Sequence, residues 1–262
     1  MHPALWISKT GLDAQQTDIA VISNNLANAS TVGFKKSRTV FEDLLYQNIN
    51  QPGGRSSQDT EMPNGLMVGA GTKVVATQKN FSQGNMTTTD NSLDFMIQGD
   101  GFFEIQRPDG TLAYTRNGQF SLDENGRLVT SGAGFPLQPE VNVPEDAQSI
   151  TISQQGEVTV QLPGQGAGVI IGQLTISDFI NPSGLEPVGQ NLFTETGVSG
   201  APGQGNPGNN GLGIVVQGAL ETSNVNVTEE LVNMIESQRA YEMNSKVISS
   251  VDQMLSFITQ QL

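Results

Sequence analysis

The stretch Val21–Lys36, VISNNLANASTVGFKK, decides how the chain is read. Ser23, Asn24, Asn25, Asn28 and Ser30 stand among Ile22, Leu26 and Ala27. Asparagine is a poor residue inside a helix, because its amide competes for backbone hydrogen bonds. The segment is therefore a helix end, or its amides have partners outside the helix. Upstream, Leu5, Leu12, Ile19 and Leu26 recur every seven residues, with Ile22 and Ala29 widening the stripe on one side and Trp6, Ala20 and Ala27 on the other. That spacing predicts a helix over the first 30 residues.

The other end of the chain has the same pattern. Val227, Met234, Tyr241, Ile248, Leu255 and Leu262 are again seven apart. Asn226 and Glu229 have the spacing of a capping box and mark the start of the second helix. Sustained seven-residue stripes predict coiled-coil-like pairing of the two ends. The companion positions are weak: Ser8, Gln15 and Ile22 in the first helix, and Leu231, Gln238, Ser245 and Asp252 in the second. One narrow seam per helix makes a marginal isolated pair, since helices in water draw most of their stability from packing. Completion between chains is the expectation.

Between the helices the pattern shifts to short alternating runs broken by turn residues. GFFEIQRPDGTLAYTRNGQFSLDENGRLVTSGAGFPLQP (Gly101–Pro139) contains Pro108-Asp109-Gly110, Asn117-Gly118 and Asn125-Gly126, which are turn signals between strands. Further strands are expected at Ser149–Ile152, Glu157–Gln161, Gly168–Ile176 and Ile214–Ala219. Two polar linkers, Gln47–Gly65 and the glycine-rich Ser199–Gly213, are expected as surface loops ordered only under a neighbour. The fold class is α+β, with paired terminal helices forming an inner layer and a β-rich middle in two domains. The expected division is 1–30 with 226–262, 31–85 with 214–225, and 86–213.

Composition narrows the function. The 262 residues include 30 glycines and only 36% apolar side chains, which suits turn-rich β modules. The net charge is −14, and the middle of the chain carries most of it. A nucleic-acid partner needs the opposite sign and is not expected. There is no cysteine, and the one histidine is His2, so disulfides, thiolate metal sites and histidine-based catalysis are set aside. Asp90, Asp94, Asp100 and Glu104 offer carboxylates for a glycosidase-like pair, but the first three read better as turn or water-facing residues. Asp123–Arg127 reads as a hairpin turn and not a calcium loop, and Gly69–Lys73 lacks the spacing of a phosphate loop. Lys35, Lys36 and Arg38 read as a solvated cluster at a helix end, with an acidic partner surface as the rival. No catalytic, cofactor or metal residues are assigned.

The motifs SNNLANASTVGFKK near the start and TSNVNVTEELVNMIESQRAYEMNSKVISSVDQML at the end, with the glycine-punctuated middle, resemble the bacterial flagellar axial proteins of the rod and hook. The likeness covers essentially the whole chain. It is strongest to the distal-rod branch, through LWISKTGLDAQQ, FEDLLYQNINQPGG and AYTRNGQFSLDENGRLVTSGAGFPLQP. The segment Tyr46–Gly65 resembles an insertion that stiffens the rod in that branch. The resemblance implies a self-assembling structural subunit without catalytic activity or cofactor. It implies export through the flagellar type III apparatus, in keeping with the absence of a Sec-like leader, and a place in the rod across the periplasm. The implied partners are further copies of the chain, proximal rod subunits, the hook protein and the surrounding peptidoglycan and outer-membrane rings.

The same resemblance places the terminal helices in an inner tube. The self-assembly residues it implies are Leu5, Leu12, Ile19, Ile22, Asn24, Asn25, Leu26, Asn28, Gly33 and Phe34 at one end. At the other they are Asn226, Leu231, Met234, Tyr241, Ile248 and Leu255. Asn24, Asn25 and Asn28 would meet neighbouring subunits, and Gly33 would let the chain turn out of the helix. Hook and proximal rod are the alternative axial roles. A secreted carbohydrate-active or binding module, dependent on Asp94 or Glu104, is the distant one.

Overall fold

The structure is a computed structural model that describes residues 3–50, 64–164 and 168–260. Most of the Gln47–Gly65 linker and Leu262 of the second stripe lie outside the described residues. Two helices frame a β-rich middle, as the periodicity predicts: α1 is Pro3–Ala27 and α2 is Val227–Gln260. The α2 start is capped as expected, with the Thr228 N–H donating to Asn226 Oδ1 at 3.1 Å. Glu229 and Glu230 in its first turn complement the helix dipole.

The chain divides into two compact units. The first takes the described residues of Met1–Ala27, Ser37–Lys79 and Asn226–Leu262. In it α1 packs along α2 and against a long antiparallel hairpin. The hairpin pairs β1 (Ser37–Asp43) with a later strand, Thr72–Lys79, from Ser37 opposite Lys79 to Asp43 opposite Thr72. Within it, β2 (Tyr46–Asn50) pairs with β3 (Leu66–Gly69), so Thr72–Lys79 is β4. The Gly69–Lys73 run is the β3–β4 turn, as its residues imply. Gly71 there has φ +115°, and a Cβ on it would meet the Thr10 hydroxyl of α1.

The second unit takes Asn28–Lys36 and the described residues of Asn80–Val225. Its strands begin with β5 (Met86–Thr88), β6 (Phe95–Gln98), β7 (Phe102–Gln106), β8 (Leu112–Thr115) and β9 (Phe120–Leu122). They continue with β10 (Leu128–Thr130), β11 (Leu137–Gln138), β12 (Ser149–Ile152), β13 (Glu157–Gln161) and β14 (Val169–Gln173). The last are β15 (Ile176–Asp178), β16 (Glu186–Gly189), β17 (Leu192–Thr194), β18 (Gly203–Gly205), β19 (Ile214–Gln217) and β20 (Ala219–Glu221). Among the described residues the largest sheet runs β16-β17-β8-β7-β15-β18, with β11 also on β7. The predicted strands Ser149–Ile152 and Glu157–Gln161 form with those bounds.

Two expected strands are broken, each where the chain passes from one partner strand to another. Gly168–Ile176 divides between β14 on β13 and β15 on β7 and β18, and Ile214–Ala219 divides at Gly218, φ +70°, whose N–H still pairs with Asp94 O while its carbonyl accepts the Thr89 N–H on the β5 side. The Ser199–Gly213 linker also differs from expectation. Its Gly203–Gly205 adds a strand to β15, and the Gly213 N–H donates to Asp100 O at 2.7 Å. Main-chain pairing orders it, a term to which side-chain composition is blind.

Phe95, Ile97, Phe103, Ile105, Phe120, Leu128 and Val158 head the main core, and Phe102, Tyr114, Phe179, Leu185 and Phe193 form a second cluster. Tyr114 meets Phe179 edge-on at 4.8 Å between ring centres. Burial, then the Glu104 and Glu195 carboxylates, pushes the Tyr114 phenol up to about 12. A phenol raised in the folded state contributes stability that is complete below about pH 10 and lost as pH rises through about 12. Absorbance at 295 nm should therefore show an ionisation step near pH 12 that is absent in Tyr114→Phe.

Candidate assembly surface

The α1–α2 seam is built from polar and small residues. Asn25 is buried, and its amide is fully used within the chain. Its Nδ2 donates to Ser37 O at 2.8 Å and to Glu230 Oε2 at 3.2 Å, while Oδ1 accepts the Ser37 N–H at 2.9 Å. Further along, the Ser237 hydroxyl donates to Asp18 at 2.7 Å, and Asn244 Nδ2 donates to Gln15 Oε1 at 3.1 Å. A Cβ on Gly11 would stand 3.0 Å from Asn244 Nδ2, so the helices approach closely there. Glu230, Ser237, Asn244 and Val251 thus form the face of α2 toward α1, each seven residues from the next.

This corrects the expected pairing. Leu5, Leu12, Ile19 and Leu26 are half-buried, whereas Ser8, Ala14, Ile22 and Asn25 are the buried residues of α1. Met234 and Ile248 are half-buried flanks, and Leu231, Tyr241 and Leu255 are exposed. The expectation that Asn25 waits for a neighbour is likewise corrected, since Ser37 and Glu230 satisfy it. Asn24 is exposed. Asn28 accepts from the Thr31 hydroxyl and lines a neutral polar cavity of about 450 Å³ with Thr31, Asn117, Gln190 and Asn191. Asn226 is the α2 cap.

A second apolar stripe on α2 escapes the seven-residue reading. Val232, Ile235, Met243 and Phe257 lie on the side away from Glu230, Ser237, Asn244 and Val251, while Val247 and Met254, three or four residues from Asn244 or Val251, border the seam. All are exposed, Met243 and Phe257 at 61%. In α1, Trp6 is exposed at 48%, with Lys9 Nζ 5.6 Å from its ring centre. A helix that packs through a largely polar face and presents an apolar face that the described residues leave uncovered offers a candidate contact surface. The signal was present as a second set of apolar residues offset from the first.

In the second unit a charged network lies inside the protein. Lys35, taken from the sequence as solvated, is 1% exposed. Its Nζ donates to Glu221 Oε1 at 2.6 Å and to Ser82 O at 2.8 Å. Glu221 Oε1 also accepts the Gly84 N–H at 2.8 Å, and Arg116 Nη1 lies 3.6 Å from Oε2. Burial lowers the Lys35 ammonium below its ordinary range, against the opposing pull of Glu221. Gly33 has φ +69°, and its N–H donates to Glu221 O at 2.8 Å. Phe34 is buried beside it.

The candidate carboxylates have structural work. Asp94 accepts from the Thr89 hydroxyl at 2.7 Å and from Asn91 at 3.1 Å. Glu104 accepts from Ser177 at 2.5 Å and from Gln204 at 2.6 Å. Asp123 closes the hairpin turn with the Gly126 N–H and pairs with Arg127, as the turn reading had it. No cluster of His, Cys, Asp and Glu fit for a metal occurs among the described residues.

Comparison with known proteins agrees with the helical ends and the middle separately. The description "Flagella basal body rod protein" matches residues 6–35, "Flagellar hook protein FlgE/F/G D1 domain" matches 96–160, and "Flagellar basal body rod FlgEFG protein C-terminal" matches 216–261. The flagellar basal-body rod protein FlgG of Buchnera aphidicola subsp. Acyrthosiphon pisum is 55% identical over 99% of this chain and 100% of its own. The FlgG of Caulobacter vibrioides is 46% identical over 98% of both, and that of Bacillus subtilis 38% over 97% of both. Terminal helices that pair through a polar seam while leaving an apolar face open, joined to end-to-end likeness of this order, mean that the chain belongs to the flagellar basal-body rod protein family.

Proposed function

We propose that the chain is a structural subunit of the flagellar rod that polymerises into a hollow helical shaft carrying torque from motor to hook, and that it serves the distal part of the rod. The carrying observation is the exposed Val232–Phe257 stripe of α2. A stripe that runs along a long helix and is left uncovered by the described residues fits repeated contact with further copies. A heterologous contact of that kind, which does not close on itself, builds an open helical polymer. In this reading 1–30 and 226–262 form the inner layer, and Leu231, Tyr241 and Leu255 flank the contact. The expected neighbours are further copies, proximal rod subunits, the hook protein and the surrounding rings. Export through the type III apparatus as an unfolded chain accounts for arrival at the tip. The role is mechanical, and Asp94 and Glu104 act within the fold.

Electron microscopy of basal bodies from a strain lacking the gene tests this. A short rod stub without hook is the expected result. Complete rods lacking only hooks would move the protein to the hook, and intact flagella would overturn the assignment.

A further inference from the structure

The chain passes between its two units after residues 27, 36, 79 and 225. Just inside the second unit, at three of these passages, lie 33–36, 80–84 and 221–224, and the buried network joins them. Lys35 reaches Ser82 O and Glu221, while Glu221 reaches the Gly84 N–H and, through its own carbonyl, the Gly33 N–H. Asn224 adds a second set of links. Its Oδ1 accepts the Lys36 N–H at 2.7 Å, and its Nδ2 donates to Asn80 O at 2.9 Å and to Ser82 O at 3.1 Å. The Asn80 N–H closes the ring on Lys36 O at 2.8 Å.

We propose that Lys35, Glu221 and Asn224 form a clamp that makes these three chain passages one mechanical element, so that none of them can loosen without the others. The composition of the cluster supports this. A buried ion pair gains little stability over apolar residues of equal volume, because desolvation offsets the attraction, and its best use is to fix register. Here both charges meet backbone groups of 80–84, at Ser82 O and the Gly84 N–H, which an apolar cluster cannot do. Ser82 O and the Gly84 N–H are reached only at one alignment of 80–84 against 33–36 and 221–224. The clamp is a property of the single chain and stands whether or not the polymer reading holds.

Hydrogen exchange of the full-length chain, read by mass spectrometry, tests it with Asn224→Ala and Lys35→Met. Asn224→Ala removes only amide links at the edge and keeps the buried pair. It should raise exchange in 33–36, 80–84 and 221–224 together, by about ten-fold, while β7 and β8 stay protected. Lys35→Met should do the same to a greater extent. Faster exchange in only the segment carrying the substitution would overturn the clamp. So would a uniform rise across the second unit in Asn224→Ala, because the network would then be ordinary core. Should Lys35→Met fail to fold, Asn224→Ala alone decides between these outcomes.

Discussion

Met243→Glu is expected to leave the free chain folded and to weaken polymerisation strongly. Met243 is 61% exposed within the α2 stripe and away from the seam, so the isolated molecule loses little packing. Glutamate is a good helix former, and far-UV circular dichroism should be unchanged. In a polymer the same position would lose about 1.5 kcal/mol of apolar burial and would also desolvate a carboxylate. A combined penalty of roughly 3 kcal/mol per contact weakens subunit addition about a hundred-fold. Sedimentation of assembled material against concentration gives the shift directly. Ser245→Glu adds the same charge at an exposed position off the stripe and should polymerise nearly as the parent does. If Met243→Glu assembles at the parent's concentration, the stripe faces solvent and the contact lies elsewhere.

Gly33→Ala is expected to cost the fold about 3 kcal/mol, for two separate reasons. The residue sits at φ +69°, where an alanine is strained by roughly 1 kcal/mol. A Cβ there would also lie 2.7 Å from the Arg116 carbonyl carbon and from the Asn117 backbone nitrogen, neither of which can rotate aside. Either the β8–β9 connection shifts, or the bond from the Gly33 N–H to Glu221 O is lost. Gly110→Ala is the comparison. Its φ is +79°, but nothing lies within 4 Å of the added methyl, so only the conformational cost of about 1 kcal/mol remains. Denaturant midpoints for the two variants should differ by the clash alone. Equal midpoints would mean that the backbone around Arg116 yields without cost.

The sequence by itself determined the parts governed by near neighbours in the chain. Two terminal helices, the Asn226 cap, the turns at Pro108-Asp109-Gly110 and Asn125-Gly126, and the Ser149–Ile152 and Glu157–Gln161 strands follow from spacing and local backbone preference. The exposed apolar set Val232, Ile235 and Met243 is also in the sequence, but the seven-residue spacing of Met234 and Tyr241 drew the reading past it. What it left open was phase. A periodic stripe fixes that a face is apolar, but not which neighbour the face meets. Only the tertiary structure decided that Asn25 spends its amide on Ser37 and on Glu230, 205 residues away, and that Lys35 is buried on Glu221, 186 residues away. The physical reason is that a polar or charged side chain has two stable fates, hydration or full pairing. The choice between them depends on groups that only folding brings within 3 Å or so. The paired fate of Asn25 directs the α1–α2 seam inward, and the apolar stripe of α2 is what remains outside.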